Sequence, residues 1–243
     1  MTDARDGNSG VTLGSRRDEP ARSLGEAIAQ ALVLSGFAGE PLFTAEGFAR
    51  AAEATAETGR RIGEAAWTFP MSATPRETAD LLRASEREDI DTVFVRYYDE
   101  GGYEALRGDL LEPSRTALDR WRPLIVQSLT AFDAGLELVV VPALLTVVEG
   151  VLAHSGGPGA WASVRAVETA KALREKSLPA SMTRAIYVSV EEFIKAVFES
   201  GHSFAGGRPH RLNRHWILHG RDEAAWNRAD GLRLFQAIDT IAR

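Results

Sequence analysis

The sequence predicts an all-α protein, a helical bundle with an N-terminal helical extension, and three observations lead there. Apolar residues recur at intervals of three and four along most of the 243 positions. Helix-start signals precede several of these runs, the clearest being Thr74-Pro75-Arg76-Glu77, which offers a cap, a proline at the first position and an acidic first turn. The stretch with strand-like composition, Asp91 to Tyr98, has no hairpin signal at its flanks. Apolar residues make up 44% and charged residues 26% of the chain, which excludes wholesale disorder. The absence of cysteine excludes disulfides, thiolate catalysis, Cys-bound zinc and iron–sulfur clusters.

Residues 1–22, rich in Gly, Ser, Asp and Arg, read as a disordered leader. Residues 23–75 read as a helical extension. Its first helix is capped by Ser23, carries Leu24, Ile28, Ala31 and Leu32, and is ended by Gly36 and Gly39-Glu40-Pro41. Its second helix spans about 44–66 and is weakened by Gly47, Gly59 and Gly63, at about 1 kcal/mol each relative to Ala. Trp67 to Met71 reads as an extended link, because the residue before Pro70 avoids the helical region.

From 76 to 243 a helical domain is expected. Helices are predicted at about 76–86, 89–106, 113–134, 136–153, 160–176, 180–200, within 210–219, and at 228–241, with a turn at Gly156-Gly157-Pro158-Gly159. The helix over 136–153 is apolar nearly all round and should be buried, with a buried strand through Leu138 to Val141 as the competitor. Glu137, Pro142, Glu149 and Gly150 interrupt it, so it falls short of the roughly 20 clean apolar residues of a membrane span. No secretory h-region appears at the N-terminus, and a cytoplasmic protein with no membrane partner is expected. The five tryptophans are spread along the chain and read mainly as core residues.

Charge is unevenly distributed. The net charge of −6 argues against coating nucleic acid over the whole surface. Residues 76–119 hold twelve acids against six arginines, whereas 206–221 hold Arg208, Arg211, Arg214 and Arg221, three histidines and no acid. That basic block is a candidate anion site; a solvated polar helix face is the alternative. On a helix over 211–220, Arg211, Arg214, His215 and His219 share an arc of about 140°, while Leu212, Trp216 and Ile217 lie where they could anchor the helix. A phosphate over that arc could receive charge-assisted hydrogen bonds from guanidinium groups while an imidazole reaches a neighbouring hydroxyl. His215 and His219 also have zinc-chelating spacing, yet the position after the first His is Trp216 instead of the Glu a metalloprotease uses, so neither metal nor another cofactor is expected. P-loop, dinucleotide-binding and α/β-hydrolase signatures are absent.

Arg214-His215-Trp216-Ile217-Leu218-His219 resembles the signature of the HEPN superfamily, an Arg, a polar residue, three variable residues and a His. The flanking Leu212-Asn213 and Gly220, and Glu149-Gly150 at the end of the preceding apolar helix, are similar to bacterial HEPN-like proteins. The resemblance loosely covers 76–243 and implies a metal-independent endoribonuclease, homodimeric, acting on RNA as a toxin or phage-defence effector, with an antitoxin or regulatory protein as a further partner. It implies Arg214, His219 and His215 as catalytic residues. Arg211, Asn213 and Arg208 are expected to bind substrate, and Glu149 to support the site, either as a carboxylate near its helix end with a solvated head group or as a buried acid paired with an arginine. Some relatives only bind RNA, so a non-catalytic RNA- or protein-binding module is the alternative.

Overall fold

A computed structural model describes residues 45–155, 167, 168, 170, 171, 175, 182–198 and 212–243. Among these residues every regular element is helical, in agreement with the predicted class. The expected leader, the helix after Ser23, the turn at Gly156 and most of the helix over 160–176 lie outside the described residues.

The helices are α1 (Ala45–Glu64), α2 (Pro75–Ser85), α3 (Ile90–Tyr97), α4 (Tyr103–Leu111), α5 (Arg122–Asp133), α6 (Glu137–Ser155), α7 (Met182–Phe198), α8 (Arg214–Leu218) and α9 (Arg228–Ile241). Local chemistry sets many of their ends. Thr74 and Glu77 form a reciprocal capping box before α2, Asp89 caps α3, and Asn227 with Asp230 caps α9. The predicted helix over 89–106 is two helices joined by a π-helical turn, Tyr98–Gly102, because Gly101 takes a left-handed φ of 123°. The predicted helix over 113–134 begins only at Arg122, after a 3₁₀ turn at Thr116–Leu118. Pro123 sits at the start of α5, where its missing N–H costs no hydrogen bond.

The glycines of α1 have a different role from the one the sequence suggests. α1 packs along α7, and a Cβ at Gly59 would stand 2.7 Å from the Ala185 carbonyl oxygen; one at Gly63 would stand 2.6 Å from that of Ser189. Their missing side chains let the two backbones approach, so the loss of helix propensity is offset by packing. At the end of α1 the N–H of Trp67 bonds the Ile62 carbonyl and that of Ala66 bonds the Gly63 carbonyl, closing the helix with Ala66 at φ 59°.

One core joins Ile62, Trp67 and Phe69 to Phe94, Leu106, Phe132, Leu145, Phe193 and Phe235. Residues 62–69, which the sequence assigns to the N-terminal extension, therefore share the core of the helices that follow Pro75. At its centre lies α9, every residue of which from Gly231 to Thr240 is buried. Its polar side chains are paired inside: Gln236 accepts from Tyr98 and donates to the Thr68 carbonyl. Arg233 bonds the Ala65 carbonyl at 3.2 Å, pairs with Asp91 and Asp230, and lies over the Trp67 ring. Asp239, with no side-chain exposure, is bound by Arg115.

α6 packs against α5, α8 and α9 and buries Val140, Val141, Leu144, Leu145, Val147, Val148, Val151 and Leu152. By length and composition it is apolar enough to cross a membrane, contrary to the reading that its interruptions disqualify it. In the fold, however, those apolar side chains serve the common core.

Candidate functional site

The site is built where α8 crosses α6 near the C-terminus of the latter. Sequence reasoning expects a helix across 211–220, but the helical turn is shorter. It starts at Arg214 because the Asn213 side chain accepts the Trp216 N–H at 3.1 Å, capping it. It stops after Leu218 because Gly220, at φ 65°, allows the N–H of Arg221 to reach back to the Trp216 carbonyl at 2.8 Å and its own N–H to bond Ile217 at 3.1 Å. Leu212 and Ile217 are buried in the core and anchor the turn, as their spacing suggested, while Trp216 is half-buried.

This closure leaves three side chains with reactive chemistry on one turn. Arg214 opens the helix, His215 follows it, and His219 stands exposed at the C-terminal cap. The two imidazoles meet edge to face, with ring centroids 4.5 Å apart. Partial burial, the neighbouring His219 and the charge of Arg214 hold the His215 imidazole below the usual histidine range. His215 is thereby disposed to be neutral at neutral pH, as a proton acceptor must be.

Arg214 is engaged. Its Nε donates to Glu149 at 3.0 Å, and its Nη2 lies 2.5 and 2.6 Å from the two Glu149 oxygens, a side-on bidentate pair. Both side chains remain partly exposed, 26% for Arg214 and 38% for Glu149. Glu149 is paired with an arginine, as one alternative expects, but it stays partly exposed and is not the buried acid of that alternative. Gly150, next to it, faces the Trp121 ring, whose Nε1 lies 2.5 Å from where a Cβ would stand. Trp121 in turn meets the His154 ring edge-on at 6.1 Å.

The structure thus brings Arg214, His215, His219 and Glu149 into one region. Asn213 is only 5% exposed, and its side-chain oxygen is spent on the helix cap. Arg208 and Arg211 lie outside the described residues. Among the described residues no three His, Asp or Glu side chains gather closely enough to hold a metal ion.

A separate concavity escaped the sequence reading. A cavity of about 500 Å³ lies between α2, α3 and α4, lined among others by Glu77, Asp80, Arg96, Tyr97, Glu100 and Gly101. None of the Arg214 group lines it. The available signals were the acid excess over 76–119 and the Gly101-Gly102 pair inside an otherwise helical run, but neither indicates a hollow until the helices are placed.

No family model matches this chain, and comparison with curated proteins and with solved structures finds no similar one.

Proposed function

We propose that the Arg214–His219 turn is the centre of a HEPN-like, metal-independent endoribonuclease, a cytoplasmic toxin or phage-defence effector that works as a homodimer. The observation that carries the reading is the convergence on one capped turn of a guanidinium and two imidazoles with centroids 4.5 Å apart. RNA supplies its own nucleophile. A base removes the 2′-OH proton, the O2′–P bond forms, the P–O5′ bond breaks, and an acid returns a proton to the departing 5′-oxygen. The product is a 2′,3′-cyclic phosphate. Imidazoles suit both proton transfers near neutral pH, and Arg suits the charge that develops on the phosphate oxygens.

In this reading His219 is the exposed acid/base, His215 its neutral neighbour and second proton-transfer group, and Arg214 the phosphate clamp, held in orientation by Glu149. Arg208 and Arg211 complete the substrate-binding set carried by the resemblance, while buried Asn213 serves the site by capping its turn. The second reading, a non-catalytic RNA- or protein-binding module, is favoured by one observation: the Arg214 guanidinium is already committed on one edge to Glu149. The test is cleavage of RNA in EDTA by the wild type and by Arg214→Ala and His219→Ala, with end-group analysis of the products. Loss of a 2′,3′-cyclic phosphate product in each variant supports the nuclease; equal activity in all three proteins, or none in any, removes it.

A further inference from the structure

We propose that Glu149 makes the Arg214 site selective for an internal phosphodiester, with its single negative charge, over a terminal phosphomonoester. The inference rests on reading Arg214 as a phosphate-binding group, and it concerns which phosphate that group accepts.

Glu149 takes the side of the guanidinium formed by Nε and Nη2, engaging it with both carboxylate oxygens. A guanidinium has five N–H groups in a rigid planar fork. Nη2 already donates to both Glu149 oxygens, whereas the Nη1 group has no partner among the described residues and the side chain is 26% exposed, so the edge that carries Nη1 is where an anion can dock. A phosphorus on that edge sits about 4 Å from the guanidinium carbon, at about 120° to the carboxylate, and hence about 6–7 Å from the Glu149 carboxyl carbon. That is inside a Debye length of about 8 Å at physiological salt.

The docked anion therefore meets an ion pair and not a lone cation. A phosphodiester brings one charge to it. A terminal monoester, whose second pKa is about 6, brings about 1.5 to 2 charges at neutral pH. The additional charge is drawn to Arg214 but repelled by Glu149, so its electrostatic gain is small, while its larger hydration must still be shed. Glu149 thus fixes the guanidinium plane and at the same time lowers the return on a second negative charge. RNA is gripped within the strand in preference to its phosphorylated ends.

The experiment uses the full chain and two probes of the same base: a 2′-O-methyl dinucleoside monophosphate, a diester that cannot attack itself, and the nucleoside 3′-monophosphate. Binding is measured by calorimetry at pH 7.5 for the wild type, Glu149→Gln, Glu149→Asp and Arg214→Gln. The wild type and Glu149→Asp should bind the diester at least about fivefold tighter than the monoester. Glu149→Gln, which keeps an oxygen for Arg214 but loses the charge, should bind the monoester about tenfold tighter than the wild type does, abolishing or reversing the preference. A Glu149→Gln protein that retains the wild-type ratio of affinities overturns the selectivity and leaves Glu149 as a support for Arg214. Absence of binding by every protein, or binding unaffected by Arg214→Gln, overturns the phosphate-site reading itself.

Discussion

Replacing Gly63 by Ala sets two opposing effects against each other, and the structure decides the sign. In a helix interior Ala is favoured over Gly by about 0.8–1.0 kcal/mol, so propensity alone predicts a more stable protein. The new Cβ, however, would lie 2.5 Å from the Glu192 Cβ, 2.6 Å from the Ser189 carbonyl oxygen and 3.1 Å from the Ser189 Cα. Two of these three atoms belong to the backbone of α7, which cannot swing aside as a side-chain end could. The helices must separate along a tightly apposed pair, and overpacking of this kind costs about 1–3 kcal/mol. Against the propensity gain this leaves a net loss of up to about 2 kcal/mol, or up to roughly 4–8 °C in Tm for a domain of this size. Gly108→Ala is the control: Gly108 is exposed in α4 and nothing lies within 4 Å of its added Cβ, so the same substitution should stabilise by about 0.5–1 kcal/mol. Urea unfolding of the three proteins gives both differences. If Gly63→Ala is stabilised as much as Gly108→Ala, close approach of α1 and α7 is not what that glycine is for, and the packing reading fails.

Asn213→Ala removes the cap of the turn that carries Arg214 and should cost about 1 kcal/mol of stability by urea unfolding; a cost under about 0.3 kcal/mol would mean that the buried anchors alone hold the turn. Burial raises the Asp239 carboxyl above its ordinary range, an effect only partly offset by Arg115 and Arg243. The native protein therefore holds that proton to higher pH than the unfolded chain, and the associated stability, complete below the ordinary value near 3.8, fades as pH rises through the native value. Asp239→Asn should flatten that slope, so its deficit against the wild type is largest in acid and narrows toward neutrality; a deficit independent of pH from 3.5 to 7 refutes it. For His215 the sign is opposite: its native pKa lies below the usual 6.5, so its contribution to stability is present above that value and is lost as pH falls through the native one. NMR titration should show His215 protonating below the usual range, and His219→Asn should move it upward.

Much of the helical plan was legible because helix signals are local. The capping box at Thr74 and the 3.6-residue spacing of Ile186, Val190, Phe193 and Val197 are written within a turn or two of the residues they govern. So is the proximity of Arg214, His215 and His219, since helical closeness follows from residue number alone. Where the local rule competed with a partner, sequence reasoning misjudged. Gly59 and Gly63 read as weak points until α7 was placed against them, and Gly101 read as helix interior until its φ of 123° showed a π-turn.

By itself the sequence determined the all-α class, the ends of several helices and the gathering of basic groups near the C-terminus. Tertiary structure alone decided that α9, with Arg233, Gln236, Asp239 and Thr240 along it, is the buried axis of the bundle. Periodicity reports how apolar a face is, whereas a polar side chain can be buried only if another segment brings it a partner, and those partners, Asp91, Tyr98, Thr68 and Arg115, come from more than 100 residues away. The pairing of Arg214 with Glu149, 65 residues apart, has the same origin: spacing put a cation on a turn, and only the crossing of α8 on α6 chose the carboxylate it faces.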